Sequence, residues 1–161
     1  MILFQGFTIA FQEVPDEISL VFNIADCQMR CKGCHSPNLQ KHEGDVLLDY
    51  LQQTIDQYRA AITCVCFMGE GNDYDGLLQC RQIVANNGLK TCLYTGVDST
   101  NPGVDYCGWD YIKVGHYDAS KGGLDSKTTN QRMYKLVDAA YKDITYRFQE
   151  KNMNLGRIEV N

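Results

Sequence analysis

Ser19-Leu20-Val21-Phe22-Asn23-Ile24-Ala25-Asp26-Cys27-Gln28-Met29-Arg30-Cys31-Lys32-Gly33-Cys34 is the stretch on which the reading of this chain turns. Its first third is rich in β-formers and nearly continuous in apolar character, the pattern of a strand buried on both faces. It runs directly into three cysteines spaced C-x3-C-x2-C. Working outward, residues 2–11 read as an earlier strand, separated from 18–24 by the turn Val14-Pro15-Asp16. Beyond Gly44, Asp45 reads as the cap of a helix carrying Leu47, Leu48, Leu51, Ile55 and Tyr58 at helical spacing. Strand follows at 61–68, ending at Gly69-Glu70-Gly71; helix at 74–87, with Leu77, Leu78 and Val84 inward and Gly88 as its stop; strand at 90–94, ending at Thr95-Gly96. A loop with Asn101-Pro102-Gly103 leads to a strand at 109–114, closed by Gly115.

Strand and helix therefore alternate to residue 115, which predicts an α/β fold whose parallel core strands are linked by crossover helices. Ligands of such sheets bind beyond the carboxyl ends of the strands, where the cysteines, Gly69-Glu70, Thr95-Gly96 and Gly115 all fall. At 161 residues the chain is too short for an eight-unit barrel of about 250 residues, so a partial, open (β/α) barrel is expected, as a single domain over 1–161. In the tail, the alternation of Ile144, Tyr146 and Phe148 predicts a late strand, while residues 128–140 fit helix or strand equally.

Composition removes several function classes. Net charge is −5 with no basic stripe, which disfavours nucleic acid as a partner. No apolar run reaches the roughly 20 residues of a membrane helix, and Met1-Ile2-Leu3-Phe4-Gln5-Gly6 carries no basic leader, so no signal peptide is expected. Eight unevenly spaced cysteines in a chain of this length point to a reducing, cytoplasmic setting and to metal chemistry rather than disulfides. Five of them, Cys64, Cys66, Cys80, Cys92 and Cys107, are expected to be buried as small hydrophobes. No nucleophilic triad or phosphate-binding glycine loop is present, and His42 and His116 have no partner legible in the sequence.

Cys27, Cys31 and Cys34 can close around one metal centre only on an irregular loop, which Gly33 and Pro37 favour. Thiolates suit zinc or an iron–sulfur centre. A structural zinc site wants a fourth ligand, and His35 is the only nearby candidate, adjoining Cys34; no second C-x2-C is present. A cubane cluster held by three cysteines leaves one iron open for a cofactor or substrate.

The motif, on a loop after the first core strand, resembles the signature of the radical S-adenosylmethionine (SAM) superfamily. A second stretch narrows the resemblance: Trp109-Asp110-Tyr111-Ile112-Lys113-Val114-Gly115-His116-Tyr117-Asp118, then Gly122-Gly123-Leu124-Asp125-Ser126, then Thr129-Asn130-Gln131-Arg132. These segments, with Gly33 before the third cysteine, look like the activating proteins of the anaerobic (class III) ribonucleotide reductases, over roughly residues 18–148. The resemblance implies a [4Fe–4S] cluster on Cys27, Cys31 and Cys34, with SAM chelating the open iron. It implies that a 5′-deoxyadenosyl radical takes a hydrogen from a glycine of the large reductase subunit, with a flavodoxin-like electron donor. By the same resemblance Gly33, Cys34 and His35 lie against SAM, and Gly69 and Glu70 meet its amino group. Thr95 faces its ribose or methionine part. Lys113 pairs with its carboxylate if it points into the barrel mouth, and is a solvated lysine if it points outward. Gly122, Gly123 and Asp125 would bound the groove admitting the partner. No catalytic side chain is expected, since hydrogen abstraction needs no general base. Two rivals stand beside this reading: an activase of another glycyl radical enzyme, and a non-catalytic zinc-stabilised binding module.

Overall fold

The computed structural model describes residues 1–150; the expected domain span 1–161 runs past them. The strands are β1 (Leu3–Ala10), β2 (Ser19–Ile24), β3 (Asp45–Val46), β4 (Cys64–Met68), β5 (Lys90–Tyr94), β6 (Tyr111–Val114), β7 (Arg132–Val137) and β8 (Ala140–Asp143). The helices are α1 (Leu47–Tyr58), α2 (Tyr74–Asn86) and the short α3 (Pro102–Asp105), with one 3-10 turn at Pro37–Gln40. All eight strands form one sheet in the order β3-β1-β2-β4-β5-β6-β7-β8, and it does not close. The central four, β2, β4, β5 and β6, are parallel, as the alternation predicts. Antiparallel strands flank them on both sides, making the fold mixed α/β.

The pleat sends alternate residues of the central strands to opposite faces. Phe22, Phe67, Leu93 and Ile112 face the helices, where α1 contributes Leu47, Leu51 and Ile55 and α2 contributes Leu77 and Val84. Such a side chain, fully buried, contributes roughly 1.5–3 kcal/mol. Phe22 stacks on Phe67 at 6.1 Å, and Phe67 meets Trp109 edge-on at 5.9 Å. The opposite face is lined by Val21, Cys64, Cys66, Cys92, Tyr111 and Met133, with Val14, Leu124, Ile144 and Phe148 packed against them. Among the described residues no helix is long and apolar enough to cross a membrane.

Several expectations are corrected. Leu48 is 38% exposed and lies off the apolar face of α1. Asp45 does not cap that helix: it pairs with Phe4 in β3, and Val46 precedes the helix with no side-chain cap. Cys107 is exposed, whereas Cys64, Cys66, Cys80 and Cys92 are buried as expected. Residues 132–137 are strand, and β8 returns beside them through Asp138 and Ala139, at φ 50° and 64°. The late strand over Ile144, Tyr146 and Phe148 is absent; residues 146–150 turn helical. Ile144 and Phe148 are four apart, a helical spacing that serves the same burial.

Candidate functional site

The cysteine loop leaves β2 through a series of left-handed residues: Asp26 at φ 62°, Arg30 at 48° and Gly33 at 74°. Only glycine takes such a conformation without strain, so Asp26 and Arg30 need outside restraint. For Asp26 the restraint is visible. It is 8% exposed, and its carboxylate accepts from His42 Nδ1 at 2.7 Å, Gln28 Nε2 at 3.0 Å and Asn72 Nδ2. Three loops are thereby tied to the residue before Cys27. The Cys27 N–H in turn donates to Leu39 O at 2.9 Å, and Cys34 N–H to Cys31 O at 3.2 Å.

Cys27, Cys31 and Cys34 are half-buried, unlike the sealed thiols of the sheet. Burial pushes the Cys80 thiol up to about 12 and raises Cys64 and Cys92 as well. Those three are therefore poor ligands and poor nucleophiles, because both roles need the thiolate. Among the described residues no three His, Cys, Asp or Glu side chains stand gathered about one point as a metal shell. The loop thiols fit a thiophilic centre in kind: soft sulfur donors, accessible, on one short loop.

Beyond the other parallel strands lies a rim of polar side chains. Glu70 Oε2, after β4, accepts from Thr95 Oγ1 at 2.6 Å and from Tyr106 Oη at 3.2 Å. Its other oxygen has no partner, and no cation pairs with it, among the described residues. Lys113 is on the same face of the sheet as Tyr111, opposite the helices, and is buried rather than solvated. It is 8% exposed, and its Nζ donates to Thr95 O at 3.2 Å and Gly115 O at 2.7 Å. Among the described residues no carboxylate is within ion-pair distance of it. Burial pushes its pKa down to about 8, against the opposing pull of Cys31 and Asp98. Thr95 thus bonds to both charges, through its hydroxyl to Glu70 and through its carbonyl to Lys113.

The cysteine loop folds against this rim. A Cβ on Gly96 would lie 2.9 Å from Met29 Cγ, so only glycine admits the Met29 side chain there. The His35 ring meets Tyr117 at 4.7 Å, and the same tyrosine lies beside Gly33. His116 has the partner that its sequence hides: Nδ1 bonds Asp98 at 2.9 Å, and this bond holds the Asp98 carboxyl below its usual range. Gly69 continues the sheet, donating to Tyr94 O at 2.8 Å with φ 116°. Gly122 and Gly123 form a turn, through Gly122 N–H to Asp118 O at 2.9 Å and Ser126 N–H to Gly123 O at 3.0 Å. Between the cysteine loop and residues 116–119 opens a cleft of about 600 Å³, with Met29, Cys31, Gly33 and Tyr117 in its lining.

The structure therefore brings Glu70, Thr95 and Lys113 into one bonded set and puts Cys31 and Gly33 on the wall of one cleft. It adds Asp26, Tyr106, Tyr117 and Met29, which sequence reasoning missed. Of these, Met29 stood out as the sole apolar residue between the first two cysteines, Asp26 and Tyr117 lie in the quoted stretches with no role read for them, and Tyr106 lies in neither. No protein family, curated protein or solved structure matches the chain.

Proposed function

We propose that this chain is a radical SAM activase, with a partial, open barrel of that type, which generates a glycyl radical on an anaerobic ribonucleotide reductase. One observation carries the reading: a carboxylate, Glu70, and a buried ammonium, Lys113, neither in an ion pair among the described residues, both bonded to Thr95 at the strand ends that also bear the cysteine loop. Opposite charges met only by neutral partners fit a zwitterion, and the amino-acid end of SAM is one. Cys27, Cys31 and Cys34 would hold the [4Fe–4S] cluster, which when bound supplies the electron that splits SAM into methionine and the 5′-deoxyadenosyl radical. Glu70 accepts from the ammonium of SAM, and Lys113 donates to its carboxylate. Gly33, beside Tyr117, leaves room for close approach from the cleft. The partner is the large glycyl-radical subunit, and the electron donor a small flavodoxin-like protein in the cytoplasm.

The test is formation of 5′-deoxyadenosine by anaerobically reconstituted, dithionite-reduced protein. Product that requires iron, sulfide and reductant supports the proposal. One equivalent of zinc without iron or sulfide, after anaerobic purification, would replace it with a zinc-stabilised binding module. A glycyl radical signal raised only on an enzyme other than the reductase would retain the chemistry and change the target.

A further inference from the structure

We infer that Tyr106 is a positioning residue that aims Glu70 at the cationic group of the ligand. The inference rests on the reading of Glu70 given above and adds a residue that no motif contains. Tyr106 follows α3 and is 6% exposed. Its backbone lies beside Tyr141 at the far edge of the sheet, whose hydroxyl is shared between Trp109 O at 2.6 Å and Tyr106 O at 3.1 Å. Its ring stands edge-on against Tyr74 at 6.0 Å. So anchored, its hydroxyl donates to Glu70 Oε2.

Thr95 donates to the same carboxylate oxygen. Two fixed donors on one oxygen set the torsion of the carboxylate, and the lone pairs of the second oxygen are left in one direction. Both donors are neutral, so they orient the negative charge without cancelling it. Some carboxylates are met by a basic side chain, as Asp16 by Arg147 at 2.8 Å and Asp98 by His116 at 2.9 Å; Glu17, like Glu70, takes only neutral hydroxyls, but Thr63 and Tyr111 occupy both of its oxygens, whereas the donors to Glu70 share one. With both donors on Oε2 and no ion pair among the described residues, the second oxygen of Glu70 is left to receive a cationic group from outside. Tyr106 keeps its proton for this task, since burial and the charge of Glu70 push the phenol up to about 12.

The experiment is equilibrium dialysis of cluster-loaded, unreduced protein against SAM and, separately, 5′-methylthioadenosine, which keeps the nucleoside and sulfur but lacks the amino-acid end. Tyr106→Phe is expected to weaken SAM about five- to tenfold, the loss of one neutral hydrogen bond, and to leave methylthioadenosine unchanged. In a Glu70→Gln background the same substitution should add nothing, because the oriented charge is already gone. An equal loss for both ligands marks a merely structural tyrosine and overturns the inference. So does undiminished SAM binding by Tyr106→Phe when the wild type binds SAM. A wild type that binds no SAM overturns the proposed function and this inference with it.

Discussion

Replacing Lys113 by methionine should separate stability from function. The lysine is charged at neutral pH although burial moves its pKa from 10.5 to about 8. A displacement of that size means that the folded state carries about 3 kcal/mol of strain for keeping the ammonium. In Lys113→Met the unbranched thioether fills the same space and removes the charge. It also leaves Thr95 O and Gly115 O without their donor, at about 1 kcal/mol each. The balance leaves Lys113→Met as stable as the wild type, or about 1 kcal/mol more so, in urea melts at pH 7. The pH dependence has a fixed sign. The folded chain holds this proton less tightly than the unfolded chain, so the penalty is complete below pH 8, shrinks between 8 and 10.5, and is gone above. Wild type should gain on the variant across that alkaline window. SAM affinity should fall roughly ten- to hundredfold, the worth of a charge-assisted hydrogen bond. A variant that loses more than about 2 kcal/mol of stability while binding SAM normally would refute the reasoning, since Lys113 would then be a structural strut.

Further outcomes follow from named contacts. In the metal-free native protein a disulfide reagent should label Cys27, Cys31, Cys34 and Cys107 promptly and spare the four buried thiols; metal loading should then leave Cys107 alone reactive. Asp26→Ala should cost about 2–3 kcal/mol, because His42, Gln28 and Asn72 lose a common acceptor, and should speed proteolysis within residues 27–34. Gly44→Ala should cost about 2–4 kcal/mol in denaturant melts, since at φ 144° its Cβ would be driven into Phe4 O. Ala139→Gly should stabilise by about 0.5–1 kcal/mol in the same melts, relieving a left-handed alanine in a two-residue hairpin turn.

The parallel centre of the sheet was legible because each strand is a short apolar run closed by glycine or by the cysteine loop. The flanks were not. Asp45 and Val46 become strand only because the edge of β1 is there to pair with them. Ala140-Tyr141-Lys142-Asp143 has no strand pattern of its own and takes its conformation from β7 across the turn. Ile144 and Phe148 satisfied two periodicities at once, and burial chose the helical one. At the site, motif residues were readable one by one, but their bonding was not. That Glu70 and Lys113 meet at Thr95 depends on strand order, and Tyr106 comes from a loop with no periodicity. Lys113 could be read as buried only once the pleat was known.

The layout of the site also sets an order of assembly. Cys27, Cys31 and Cys34 are neighbours along the chain, so bringing them together closes only short loops and needs none of the sheet. Glu70, Thr95 and Lys113 belong to three successive parallel strands or the turns that close them. They meet only when the long crossovers between those strands have formed, which is the slow part of folding such a topology. On the proposed function, the nascent chain would capture metal before it could recognise a ligand. Ions bound that early stabilise the unfolded chain as well as the folded one, and so add less to the native state than their affinity alone would imply.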